Sequence, residues 1–274
     1  MSSTQADKAH RFRSLHQQMI PLLIPNPWDI GSARILAQLG FEALATSSAA
    51  SAAALGRRDH RVTREEALAH ARGIVSATDL PVSADLENGF GHEPSVVAQT
   101  IRLAAETGLA GASIEDSTGN KDKPLYDIGH ATERIAAAVE AARSLPFPFT
   151  LTARAENFLQ GNTDLDDTIQ RLVAYEKAGA DVLFAPALPD LAAVRAVCDA
   201  VSKPVNFMVG IKGKSFTVAE LTEAGVRRIS FGASFHRAAM TGLVNAAREA
   251  KEQGTFHYLD HTLTKPELNR FLPE

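Results

Sequence analysis

The stretch Glu176-Lys177-Ala178-Gly179-Ala180-Asp181-Val182-Leu183-Phe184-Ala185-Pro186 decides the fold of this chain. It joins the end of an amphipathic helix to a short apolar run through a single glycine. Glycine just past a helix end adopts the left-handed cap conformation at little steric cost. A short apolar run is what a parallel strand buried on both faces looks like. The phrase recurs as Ala37-Gln38-Leu39-Gly40 before FEALATS and as Ala105-Glu106-Thr107-Gly108 before LAGASIED. It returns once more as Thr222-Glu223-Ala224-Gly225 before VRRISFG.

Working outward from these phrases gives eight β-rich runs, at about 22–26, 43–48, 81–86, 110–115, 149–154, 181–185, 204–209 and 227–232. Helical patterns separate them, among them Thr63–Ser76, Ser95–Thr107, Ala131–Ser144, Asp166–Ala178 and Leu191–Val201. Thr63 with Glu66 has the spacing of a capping box, and Asp29 and Asp190 are positioned as helix N-caps. Strict alternation of strand and helix predicts a parallel sheet with helical crossovers. Eight such units predict a closed (β/α)8 TIM barrel, a fold that takes about 250 residues. No shift in composition marks a second domain, so residues 1–274 are expected to form one barrel domain. Residues 253–274 fall outside the repeat, and their Phe256, Tyr258, Leu259, Leu263, Leu268, Phe271 and Leu272 suit an extra C-terminal helical arm. That arm either packs on its own barrel or docks on a neighbouring subunit.

Composition narrows the function classes. With 28 basic and 32 acidic residues the net charge is −4, and no basic arm is present, which argues against nucleic acid as a partner. No stretch approaches the roughly 20 apolar residues of a membrane span. The polar N-terminus has no apolar signal-like core, and the one cysteine, Cys198, permits no disulfide within the chain. A cytoplasmic protein is the expectation.

In a barrel of this kind, side chains at the C-terminal ends of the strands converge on one face. The second run ends in Thr46-Ser47-Ser48-Ala49, the third in Asp85-Leu86-Glu87-Asn88-Gly89 and the fourth in Glu115-Asp116. The fifth ends in Arg154-Ala155-Glu156-Asn157, the seventh passes through Asn206, and Arg57-Arg58-Asp59 lies in the loop after the second. Asp59, Asp85, Glu87 and Glu115 would crowd four carboxylates into one mouth, where like charges resist ionisation unless a cation neutralises them. A hard divalent ion with oxygen ligands suits such a site, Mg2+ first and Mn2+ as a substitute. Arg154 offers a planar fork for a substrate carboxylate, and the small Ser47-Ser48-Ala49 segment lets donors approach an anion. Asp116 and Asn157 read better as structural partners than as ligands.

These residues together resemble the isocitrate lyase and phosphoenolpyruvate mutase superfamily. The likeness runs from Asn26-Pro27-Trp28-Asp29 to about Gly242. Its most specific parts are Ala45-Thr46-Ser47-Ser48, Leu55-Gly56-Arg57-Arg58-Asp59, Asp85-Leu86-Glu87-Asn88-Gly89-Phe90-Gly91, Ile114-Glu115-Asp116, Ala153-Arg154-Ala155-Glu156 and Ser230-Phe231-Gly232. The resemblance implies Asp85 as the direct Mg2+ ligand, with Asp59, Glu87 and Glu115 acting through bound water. It implies that Ser47 and the backbone of Ser48 and Ala49 bind the acid end of the substrate, that Arg154 orients it, and that a tetramer forms. Asp59 and Lys121 join Arg154 as candidate catalytic residues, and Asn206 joins the substrate-binding set.

The departures from the family carry information too. Isocitrate and methylisocitrate lyases bear a cysteine on the loop after the fourth strand; here that loop reads Ser117-Thr118-Gly119-Asn120-Lys121-Asp122-Lys123-Pro124-Leu125-Tyr126. This argues against those two substrates. The loop keeps an asparagine and lysines, in the manner of the phosphonate branch, and is expected to act as a lid. The expected activity is Mg2+-dependent cleavage or formation of a C–C bond beside the carbonyl of a small 2-oxo acid, through an enolate. The alternatives are P–C chemistry on a phosphonopyruvate-like substrate, and a barrel that binds 2-oxo acids without turning them over.

Overall fold

A computed structural model describes residues 3–272. All eight expected strands form, each within the run that predicted it: β1 (Leu22–Ile24), β2 (Leu44–Ala45), β3 (Val82–Asp85) and β4 (Gly111–Glu115), then β5 (Thr150–Arg154), β6 (Val182–Phe184), β7 (Val205–Met208) and β8 (Arg228–Ser230). They are parallel and ordered β1-β8-β7-β6-β5-β4-β3-β2, which is the TIM-barrel sequence of neighbours. Around them lie α1 (Gln5–Leu15), α2 (Ile30–Gln38), α3 (Ser48–Ala54), α4 (Arg64–Ser76), α5 (Pro94–Ala105), α6 (Ile128–Arg143), α7 (Leu165–Lys177), α8 (Leu191–Ala200), α9 (Val218–Glu223) and α10 (Ser234–Arg248). The capping box at Thr63 and the N-caps at Asp29 and Asp190 are present, each side-chain oxygen accepting a backbone N–H two to three residues into its helix.

No ladder joins β1 to β2, and the seam is closed by other means. The Ala45 N–H donates to Pro25 O at 3.0 Å. The Asn26 side chain then spans the gap, its Nδ2 donating to Thr46 O and its Oδ1 accepting from Phe231 N–H, both at 2.9 Å. One buried amide thus ties the ends of β1, β2 and β8 together.

The opposite end of the barrel is stoppered by α1, a helix that the sequence pattern did not reveal. Ala9, Phe12 and Leu15 pack with Leu22, Ile24, Ala43, Ala45 and Ala110 in a small core separate from the main one. Gly111 makes room for the stopper: a Cβ there would stand 2.5 Å from Thr150 O and 3.0 Å from the Phe12 ring. The main core lies between the outer faces of the strands and the surrounding helices.

The last helix of the repeat leaves the barrel. Of α10 only His236 is buried, against Trp28 at a ring separation of 5.3 Å, while Met240, Leu243 and Val244 are exposed. An apolar groove lined by Trp28, Ile35, Leu36, Leu39, Phe41 and Phe235 is touched by Leu268 and Leu272 from the end of the same chain. Leu259 and Leu263 remain exposed. No helix among the described residues is long and apolar enough to cross a membrane.

The stopper generates a prediction. Phe12 is fully buried, so Phe12→Ala should cost about 3–5 kcal/mol of stability, read from urea unfolding. A loss within the roughly 0.5 kcal/mol typical of surface substitutions would show that the barrel does not depend on α1.

Candidate active site

Successive side chains of a strand point to opposite faces, and here the two faces differ sharply. Ser83 and Asp85 on β3, Thr152 and Arg154 on β5, Asn206 and Met208 on β7, and Arg228 and Ser230 on β8 line one cavity inside the barrel. Ala153, Phe207 and Ile229 between them belong to the outer core. Barrel interiors are usually filled by bulky branched residues. Small and polar ones leave space here, and a cavity of about 290 Å³ opens at the C-terminal ends of the strands. Ser47, Ser48, Ala49 and Asp59 reach it from the β2 side, with Leu159, Gly210 and Arg237 also lining it.

Arg154 is the hub. It pairs with Asp85 at 3.1 Å, Glu115 at 3.4 Å and Glu156 at 2.9 Å, and lies over the Phe184 ring at 5.0 Å. Burial works against the charge of Asp85, but Arg154 and the N–H groups of Ser48 and Glu87 outweigh it and hold the carboxyl below its usual range. Glu115 goes the other way: burial and the neighbouring Glu156 charge push it well above the usual carboxylate range, Arg154 only partly opposing them. Burial likewise raises Glu156.

Beside the hub stands a second group that could hold a cation. Asp59, His60 and Glu87 bring ligand atoms within 4.8 Å of one another, and the Glu87 N–H donates to Asp85 Oδ1 at 3.2 Å. His60 and Glu87 both have left-handed backbone, φ 59° and 49°, which is uncommon for residues other than glycine and tends to cluster at functional sites. The His60 ring is 3.0 Å from Glu87 Oε2, and this hydrogen bond raises its pKa to about 9. A set rich in carboxylate oxygen with one imidazole fits a small divalent ion, and such an ion would compete with the proton that His60 holds.

Further from the cavity, structural pairs fix these groups. Asp116 accepts from Glu156 N–H at 2.8 Å, Arg171 at 3.0 Å and the Tyr175 hydroxyl at 2.6 Å, binding the end of β4 to α7 and to the turn after β5. Asn157 donates to Asp167 at 2.6 Å. The buried Arg134 donates to the carbonyls of Asn88, Gly91 and His92 and so holds the turn that carries Glu87.

Of the residues expected at the site, Asp59, Asp85, Arg154, Ser47, Ser48, Ala49 and Asn206 meet at one cavity. Glu115 is buried behind Arg154, and Glu87 turns toward His60. The Ser48 N–H is engaged by Asp85 at 3.3 Å, and the Ser47 hydroxyl accepts from Ala50 N–H at 3.4 Å. Lys121 stands apart, exposed in a hairpin closed by a Ser117–Leu125 bridge. His60, Arg228 and Arg237 are additions that the sequence reading missed. His60 directly follows Asp59, and that adjacency was its only signal.

This geometry agrees with what the chain is similar to. The phosphoenolpyruvate phosphomutase family model matches residues 12–251. A 2-methylisocitrate lyase of Halalkalibacterium halodurans is 31% identical over 92% of this chain and 85% of its own. A solved structure from Burkholderia cenocepacia, described as a lyase/mutase, superposes with a TM-score of 0.96 at 51% identity, covering 98% of this chain and 97% of that one. A 2,3-dimethylmalate lyase superposes at 0.85 with 29% identity, over 98% and 94%. The chain therefore belongs to the phosphoenolpyruvate phosphomutase family, within the isocitrate lyase and phosphoenolpyruvate mutase superfamily, and is an enzyme of that lyase type.

Removing the hub should expose its role. Arg154→Met leaves three buried carboxylates without their cation, a change that typically costs about 3–5 kcal/mol. Carboxyls whose folded pKa lies above the unfolded value of 4.5 stabilise the fold least at high pH, because the folded state then binds the extra protons. The variant should therefore lose more stability than the wild type as pH rises from 5 to 8 in thermal melts. Parallel pH profiles for the two proteins would contradict this account.

Proposed function

We propose that this enzyme cleaves or forms a C–C bond next to the carbonyl of a small 2-oxo acid, with Mg2+, or Mn2+ in its place, as cofactor. One observation carries the reading: Arg154 and Asp85, paired at 3.1 Å, line together with Asp59 a cavity sized for a small acid, and Asp59 is also one of the three ligand-bearing residues Asp59, His60 and Glu87. Asp85 would hold the ion directly, with Asp59, Glu87 and Glu115 around it; when bound, the ion supplies Lewis-acid polarisation of the 2-oxo group. Arg154 orients the substrate carboxylate by paired N–H donors and presents positive charge where the carbonyl oxygen becomes negative. The bond that breaks joins the carbon next to that carbonyl to its substituent. Its electron pair becomes the enolate C=C as the carbonyl π pair moves onto the oxygen; the substituent departs as CO2 or a carbonyl compound, and the enolate then takes a proton from solvent. Ser47, Ser48, Ala49 and Asn206 fix the rest of the acid. The 117–126 hairpin is the element that would close over the mouth and bring Lys121 toward the developing charge.

The family description keeps a second reading in view, in which the bond broken is P–C in a phosphonopyruvate-like acid. Methylisocitrate, the substrate in the names of several relatives, fits less well, because the chain's only cysteine, Cys198, is on α8 and absent from the hairpin. Purified protein incubated with oxaloacetate and with phosphonopyruvate, each with and without Mg2+, separates the readings. Turnover of oxaloacetate that needs Mg2+ is the expected result. Asp85→Ala should abolish it in a folded protein, while Asp59→Asn and Glu87→Gln should weaken metal dependence by about 10–100-fold. Activity that survives Asp85→Ala or full chelation would end the proposal.

Assembly belongs to the same reading. The helix α10, with Met240, Leu243 and Val244 exposed, together with Leu259 and Leu263, supports a homo-oligomer, a tetramer, in which these segments and Phe271 contact a second copy. Light scattering coupled to gel filtration should give a multiple of the 29.3 kDa chain. Replacing Leu243 and Val244 together by lysine should dissociate it; a monomer at every concentration would refute the assembly.

A further inference from the structure

Two hydrogen-bonded frameworks flank the site, and one side chain belongs to both. The first is built on Asp116, the residue after Glu115. It binds Arg171, Tyr175 and the backbone of Glu156, and so fixes the strand ends that carry the hub. The second is built on Arg134, which is buried, has no carboxylate partner among the described residues, and donates instead to carbonyls of the turn after β3. Tyr126 joins them. Its N–H donates to Asp116 O at 3.0 Å, and its carbonyl accepts from Arg171 Nη1 at 2.9 Å. Its buried ring lies beneath the Arg134 guanidinium at 4.2 Å. Its hydroxyl is 2.5 Å from His92 Nδ1, at the far end of the same turn. Burial raises the phenol above its usual range, Arg134 only partly opposing it. The hydroxyl therefore keeps its proton and donates it to the bare Nδ1.

The turn needs such a hold. Glu87 and Phe90 both have left-handed backbone, φ 49° and 61°. Conformations of this kind cost about 1–3 kcal/mol each and persist only where the surroundings over-determine them. The near end of the turn is fixed at Glu87, whose carbonyl accepts from Glu115 N–H at 2.9 Å and whose N–H donates to Asp85. The far end, at His92, is held by Arg134, by His130 Nε2 donating to His92 O at 3.0 Å, and by Tyr126. Of these, only the Tyr126 bond leads directly to the residue that fixes the hub. A loss of register here matters, because a misplacement of about 1 Å can cost about 100-fold in rate.

We propose that Tyr126 is a positioning residue that keeps the cation-binding turn in register with Arg154, so that ion and 2-oxo acid bind as one unit. The inference rests on the proposed function for what the two halves hold. Tyr126 touches neither ligand; it acts through His92, Arg134 and Asp116.

Register of this kind is read as a coupling between two ligands, each changing the affinity for the other by the same factor. Titration of Mn2+, alone and with saturating pyruvate, with free Mn2+ followed by electron paramagnetic resonance, measures it without turnover. In the wild type pyruvate should tighten Mn2+ binding by at least about tenfold. Tyr126→Phe keeps the ring and its contact with Arg134. It should cut that factor to about threefold or less, while Mn2+ alone binds within about threefold of the wild type. General loosening of the barrel would do the reverse, weakening Mn2+ alone and leaving the factor intact. Should Tyr126→Phe fail to fold, His92→Ala removes the same bond from an exposed position and should give the same loss. The double variant should lose no more than either single one, as expected of two residues acting through one bond. A wild type without coupling, or single variants that retain it, would overturn the role of Tyr126. The C–C reading fails differently: oxaloacetate is not turned over with Mg2+, while the coupling and its loss in both variants persist.

Discussion

One guanidinium and three carboxylates set the terms for this barrel. Arg154 touches Asp85, Glu115 and Glu156 at once, and all four groups are removed from most solvent contact. Burying ions costs several kcal/mol each, and their attraction repays that only when the remaining hydrogen bonds are made. The surrounding structure makes them. Asp116, Arg171 and Tyr175 fix the backbone that carries Glu156, and Ser48 N–H and Glu87 N–H complete the shell of Asp85. Burial first, and then the neighbouring Glu156 charge that one arginine cannot offset, push the Glu115 carboxyl well above its usual range. A divalent cation bound there would relieve the same imbalance. The hub is therefore poor as a stabilising device and well suited to binding a cation and an anion side by side.

The hub requires a hollow barrel, and the hollow has structural consequences. Ser83, Ser113, Thr152 and Ser230 stand where larger branched side chains would give a dry interior. Apolar burial inside the strands is correspondingly small, and the fold compensates at both ends. Phe12 on α1 fills the lower end, and Asn26 closes the seam that β1 and β2 leave open. The outer core, rich in alanine on α5 and α6, lets those helices pack closely and supplies most of the buried apolar surface.

Strand ends were legible in the sequence because two local signals coincide there. Gly40, Gly108, Gly179 and Gly225 all have positive φ, as a helix-to-strand turn requires, and an apolar run follows each. Since chemistry in this fold collects at strand ends, locating them also located Asp85, Glu115 and Arg154. What remained hidden was set by tertiary contact. The α1 segment is polar on three sides, and Phe12 gains its role only where Gly111 leaves room. His60 matters because a left-handed turn in the α3–α4 loop aims it at Glu87. Arg227 and Arg228 are adjacent in the sequence with nothing to rank them; the phase of β8, fixed by pairing Arg228 with Leu22 and with Asn206, turns the second inward. The lid expectation for 117–126 found a hairpin bonded to itself, with Thr118 N–H on Pro124 O at 2.8 Å, because local turn chemistry satisfies that loop without the cavity.

The two ends of the cavity carry opposite charge, and that asymmetry does more than attract a ligand. At the mouth the acids outnumber Arg154, while on the floor Arg228 stands without an acid. In a poorly solvated space a field of this kind acts at several times its strength in water. The carboxylates therefore draw positive charge to the mouth, while Arg228 sets an opposing potential one layer beneath it on the inward face of β8, so that charge alternates along the axis of the cavity.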